Sequence, residues 1–109
     1  MKIVAVTACI VGLAHCKMSR QALLKEAKKE GIDLLCEVQS QIGIDHKLTA
    51  KDIAEADVVM FATDVAPRDR GRFKGKKIYQ TATAKAIRHP DQEIAKALAL
   101  VQQPLSENE

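Results

Sequence analysis

Lys2-Ile3-Val4-Ala5-Val6-Thr7-Ala8-Cys9-Ile10-Val11-Gly12-Leu13-Ala14-His15-Cys16-Lys17-Met18 is the stretch that decides the reading of this chain. Lys2 to Ala8 is short, apolar and β-branched, so it reads as a strand, and Gly12 breaks the extended pattern before a helical one begins. From about Ala14 to Glu30, Cys16, Leu23, Leu24 and Ala27 share one helical face, and Gly31 supplies a natural stop. Arg20 lies on the same stripe, which leaves that part of the face either exposed or in reach of a partner. The opening therefore reads strand, loop, helix.

The same alternation continues outward. Ile32 to Gln39 reads as a second strand, followed by a loop over Ser40 to Lys47 that contains Gly43. Thr49 with Asp52 three residues on resembles a capping box and opens a short helix to about Glu55. Asp57 to Thr63 carries the uninterrupted run Val58 to Ala62, which suits a central strand covered on both faces. Pro67 to Lys77 is basic and glycine-containing, a loop or short helix, and Lys77 to Thr81 forms a fourth strand. Pro90 starts a helix on which Ile94, Leu98 and Val101 recur at i, i+4 and i+7, and Pro104 ends it. Residues 1–104 form one domain and 105–109 a polar tail. Strands alternating with helices require right-handed crossovers, hence an α/β three-layer open sandwich, Rossmann-like, with a parallel sheet.

Composition narrows the function classes. With 109 residues, 47% hydrophobic and only 3% aromatic, the chain fits a single aliphatic core and lacks the rings that single-stranded nucleic-acid binders stack on bases. A net charge of +3 implies no strong global field. Cys9, Cys16 and Cys36 are odd in number and form no Cys-x-x-Cys pair, which fits neither a disulfide framework nor a zinc site. All three are expected to be free thiols, and a reducing cytoplasm is the simplest location. No signal peptide is evident, and no apolar run approaches the roughly 20 residues that span a bilayer.

In open parallel sheets, ligand chemistry sits at the carboxyl ends of the strands, where the order reverses. Cys9 lies there, between the first strand and a helix start where backbone N–H groups converge and the helix dipole is positive. That field lowers a thiol pKa, so Cys9 is a candidate thiolate nucleophile able to attack phosphorus; the plainer reading is a small buried hydrophobe.

Cys9-Ile10-Val11-Gly12-Leu13-Ala14-His15-Cys16-Lys17-Met18 resembles the Cys-Pro-Thr-Gly-Ile-Ala-His-Thr-x-Met loop of fructose-specific enzyme IIB proteins of the sugar phosphotransferase system (PTS), matching at Cys9, Gly12, Ala14, His15 and Met18. Glu37-Val38-Gln39 with Ile42-Gly43-Ile44, Leu48 to Ile53, Ala56 to Val59 and Arg72 to Lys76 resemble further family segments, so the likeness covers nearly the whole chain. It implies a four-stranded parallel sheet of order 2-1-3-4. It also implies a fructose-like phosphotransferase in which Cys9 takes a phosphoryl group from a phosphohistidine of enzyme IIA and passes it to a sugar bound in membrane enzyme IIC. The phosphate-binding loop is then Ile10, Val11, Gly12, Leu13, Ala14, His15 and Cys16, with backbone amides meeting the phosphoryl charge. No metal or organic cofactor is required, no nucleic acid is bound and the domain does not insert into the membrane. It would work in the cytoplasm, held at the inner face of the membrane through IIC.

Ile10 and Val11 replace Pro-Thr of the family loop, Cys16 replaces Thr, Ser19-Arg20 replaces Ala-Ala and Ser40 replaces Gly. Two hydroxyl donors are thereby lost from the loop. Cys16 is either a weak thiol donor in their place or a packed residue, and His15 either contacts the phosphoryl group or caps the helix. His46 and His89 read as solvated, and Cys36 as core. One rival is a low-molecular-weight cysteine phosphatase, but that chemistry needs Arg six residues after the cysteine, where His15 stands. The other is a non-catalytic regulatory or binding module that docks through the cationic stretch Arg68 to Lys77.

Overall fold

A computed structural model describes residues 1–9, 14–40 and 43–101. β1 (Lys2–Ala8) is central and pairs in parallel with β2 (Asp33–Ser40) on one side and β4 (Val58–Thr63) on the other. β5 (Ile78–Thr81) extends the sheet in parallel beyond β4, and β3 (Gly43–Asp45) runs antiparallel along β2, giving the order β3-β2-β1-β4-β5. The expected parallel order 2-1-3-4 is present as β2-β1-β4-β5, but the sheet has five strands and is mixed. The correction lies in the segment read as a loop: Ser40 pairs with Gly43, Gln39 with Ile44 and Val38 with Asp45, and Gly43 adopts φ 140°, a conformation open to glycine.

Helices cover both faces. α1 (Ala14–Glu30), α3 (Thr83–Arg88) and α4 (Pro90–Val101) pack Leu23, Ala27, Ala86, Ile94 and Ala97 against Ile3, Ala5, Val58 and Met60. α2 (Ala50–Glu55) and a 3-10 turn at Arg70–Phe73 bury Ile53 and Phe73 against Val4, Val6, Val59 and Phe61 on the other face, with Phe73 edge-on to Phe61 at 5.2 Å. β1 and β4 face core on both sides, which explains their continuous apolar runs.

Local signals account for the helix ends. At the close of α1, Gly31 adopts φ 73°, Ile32 N–H donates to the Ala27 carbonyl and Gly31 N–H to that of Lys28, a Schellman turn. The capping box is present: Thr49 Oγ1 accepts from Asp52 N–H while the Asp52 carboxylate accepts from Thr49 N–H. α3 was not expected from the sequence; its first residue, Thr83, is held by Asp64 at the end of β4 through Oγ1 and backbone N–H. The proposed tail, 105–109, lies outside the described residues.

Candidate functional site

The site forms at the carboxyl edge of the sheet, around the end of β1. Ala8 is paired with Gln39 of β2 and Thr63 of β4, and its carbonyl accepts from Asp64 N–H at 2.8 Å, so the chain leaves the sheet at Cys9 from a fixed position. Cys9 is 7% exposed. Of the expected phosphate-binding loop, Ile10, Val11, Gly12 and Leu13 lie outside the described residues. Ala14 and His15 are exposed on the first turn of α1, and Cys16 is fully buried beneath them.

The structure joins Cys9 and Cys16 through a disulfide with a Cα separation of 6.4 Å, which corrects the expectation of three free thiols. Seven positions apart, the two residues carry no disulfide signature in sequence; the end of β1 and the first turn of α1 bring them together. Both pack with Val38 in a small apolar cluster, and Cys16 Sγ lies 3.9 Å from the Gln39 carbonyl oxygen. Cys36 is a buried free thiol, as read, and burial pushes its pKa up to about 12.

On the other face of β2, Glu37 and Gln39 anchor a polar network that sequence reasoning left without a role. Glu37 is fully buried and accepts from Arg72 Nη1 at 3.0 Å and Nη2 at 2.8 Å, from Gln39 Nε2 at 2.8 Å and from Leu48 N–H at 2.8 Å. Burial pushes its carboxyl pKa up, but Arg72, Gln39 and Leu48 outweigh this and the net shift is downward. Gln39 also donates to the Arg68 carbonyl at 3.1 Å and accepts from Arg68 N–H at 2.6 Å, and the Arg68 guanidinium donates to the Ser40 carbonyl. The signal was available: a buried acid in an apolar strand demands a cation, and the basic stretch supplies it.

That stretch is thus partly structural. Beyond Arg68 and Arg72, Lys76 Nζ donates to the Ala54 and Ala56 carbonyls at 2.9 and 3.0 Å, and Lys77 Nζ to that of Val101 at 2.9 Å. Arg70 and Lys74 are exposed. On the α1 side, His15, Met18, Ala84, Ile87 and Arg88 line a recess of about 210 Å³ between the start of α1 and the length of α3, and Met18 is 49% exposed. Among the described residues no helix is long and apolar enough to cross a membrane.

Comparison with known proteins adds to this geometry. The family model described as "PTS system, Lactose/Cellobiose specific IIB subunit" matches residues 4–96. The PTS system fructose-specific EIIB'BC component of Vibrio cholerae is 41% identical over 99 residues, which span 90% of this chain but only 17% of that protein. The PTS system fructose-like EIIB component 2 of Escherichia coli K12 is 40% identical over 90 residues, 83% of this chain and 85% of that one. Among solved structures, a domain of the fructose-specific IIABC component of Borrelia burgdorferi superposes with a TM-score of 0.86 at 40% identity, covering 96% of this chain and 97% of that domain. A predicted fructose-specific IIB from Escherichia coli gives 0.88 at 29% identity, covering 95% and 92%.

Proposed function

We propose, from the premise that this chain belongs to the family of PTS IIB subunits, that it relays a phosphoryl group to a fructose-like sugar through Cys9. The observation that carries the reading is the position of Cys9, at the carboxyl end of the central strand and against the first turn of α1. The helix N-terminus favours an anion there, which serves the attacking thiolate first and the phosphoryl group afterwards. The reduced Cys9 thiolate attacks phosphorus on a phosphohistidine of IIA; the S–P bond forms, the N–P bond breaks and the imidazole leaves. A hydroxyl of the sugar bound in IIC then attacks the same phosphorus, and the Cys9 thiolate leaves.

Loop amides from Ile10 to Ala14 would meet the equatorial oxygens, and His15, exposed on the first turn of α1, would donate a further hydrogen bond. The relatives' names favour fructose over the lactose or cellobiose in the family description, because three fructose-system proteins align over most of this chain. Docking to IIC would hold the domain at the cytoplasmic face of the membrane.

The test is to pass label from phosphoenolpyruvate through enzyme I, HPr and IIA to the reduced domain, then digest it under conditions that keep S–P bonds. Label is expected on Cys9 alone, with Cys9→Ser folded but inactive in onward transfer because a hydroxyl is the weaker nucleophile and its phosphate a poor donor. His15→Ala should slow transfer without moving the label. Label on His15, or undiminished sugar phosphorylation by Cys9→Ser, overturns the reading.

A further inference from the structure

The carboxyl edge carries a chemistry that phosphoryl relay does not use. Cys9 and Cys16 sit with their Cα atoms 6.4 Å apart, inside the span that a disulfide bridges without backbone movement. Cys16 is fully buried on the first turn of α1, and Val38 packs against both residues, so the cluster presents one sulfur to the other. Cys36 lies in a different cluster, packed among Ala5, Leu34 and Met60.

We propose that Cys9 and Cys16 form a reversible oxidative modification site, at which a hydroperoxide converts the two thiols to a disulfide and withdraws Cys9 from phosphoryl transfer. The second half rests on the reading of Cys9 as the phosphoryl acceptor. The Cys9 thiolate attacks the peroxide, the O–O bond breaks, and the sulfur is oxidised to a sulfenic acid as the peroxide is reduced to an alcohol or water. Cys16 Sγ then attacks the Cys9 sulfur; the S–S bond forms, the S–O bond breaks, and hydroxide leaves as water with the Cys16 proton. Two thiols and one hydroperoxide give one disulfide, one alcohol and one water. A dithiol reverses the bond by exchange, taking up the oxidation itself. Cys9 cannot carry sulfur and phosphorus together, so phosphorylation protects it from oxidation and oxidation bars phosphorylation. In the family loop that this chain resembles, Thr stands where Cys16 does and offers no second sulfur.

The experiment treats reduced wild type and Cys16→Ser with hydrogen peroxide and compares each with its own untreated sample. It reads intact mass, a non-reducing peptide map, and label acceptance from phospho-IIA before and after dithiothreitol. Wild type is expected to lose two hydrogens, yield a Cys9–Cys16 cross-linked peptide and lose label acceptance, all restored by dithiothreitol. Cys16→Ser is expected to gain oxygen at Cys9 and stay inactive after dithiothreitol, because nothing captures the sulfenic acid before it oxidises further. Oxygen addition to wild-type Cys9 without the cross-link, or full label acceptance by the cross-linked fraction, overturns the proposal. A reduced protein that forms the cross-link on oxidation yet never takes label at Cys9 refutes the relay and upholds the modification site.

Discussion

The two faces of β2 at the carboxyl edge are built on opposite principles. On one, Val38 closes a small apolar pocket over Cys9 and Cys16, held by dispersion and one covalent link. On the other, Glu37 and Gln39 carry charged and neutral hydrogen bonds to Arg72, Arg68 and Leu48. Reactive sulfur needs surroundings that do not compete for it, whereas a loop must be pinned by directional bonds. Alternation along one strand lets adjacent residues serve both needs, the polar face fixing the edge beside which Cys9 leaves the sheet.

The largest effect expected from breaking this contrast is at Arg72. Arg72→Ala leaves Glu37 buried and charged without its cation, a loss of roughly 3–5 kcal/mol measured by urea unfolding at neutral pH. The pH dependence follows from the sign of the shift. Because the folded Glu37 pKa is lowered from 4.5, its contribution in wild type is complete above the unfolded value and is lost as pH falls through the folded one. In the variant Arg72 no longer holds that pKa down, so Glu37 takes up its proton at a higher pH than in wild type and the gap between the two proteins should narrow as pH falls. A gap that stays constant to low pH would mean that Glu37 does not carry the effect.

A smaller loss is expected at Gln39, which is 2% exposed and links Glu37 to the Arg68 backbone in both directions. Gln39→Met keeps the volume but orphans the Arg68 N–H and one bond to Glu37, a cost of about 1–3 kcal/mol. Amide exchange at Arg68 should quicken more than exchange within β4. Equal protection at Arg68 in both proteins would dissociate the network from the loop.

These residues also show where sequence was sufficient. β1, β2, β4 and β5 could be read because apolar runs, with Gly31 and the Thr49–Asp52 box as punctuation, are local properties of the chain. β3 could not, because three residues are too few to show an alternating pattern and its pairing depends on β2 lying alongside it. α3 is six residues long and is held by Asp64 from another element, so neither length nor a neighbouring cap announced it. The place of Cys9 after the first strand was legible from that strand's apolar run, whereas its union with Cys16 arises only when β1 and α1 are packed together. Glu37 and Arg72 both stood in matched segments, but their partnership spans 35 positions and needs the fold to bring them together.

The smallest effect sharpens the comparison from the α1 side. Ser19 is fully buried one turn after Cys16, and among the described residues its Oγ is the buried side-chain oxygen or nitrogen with no hydrogen-bond partner. On the Glu37 face every polar bond removed should cost stability; here a hydroxyl has been desolvated with nothing in return. Ser19→Ala removes that oxygen while leaving a methyl to pack, and Ala has the higher helix propensity. The variant should be more stable than wild type by about 0.5–1 kcal/mol in urea unfolding. A loss of stability would show that the hydroxyl is bonded, and the sulfur side of β2 would then be as polar in its construction as the side that holds Arg72.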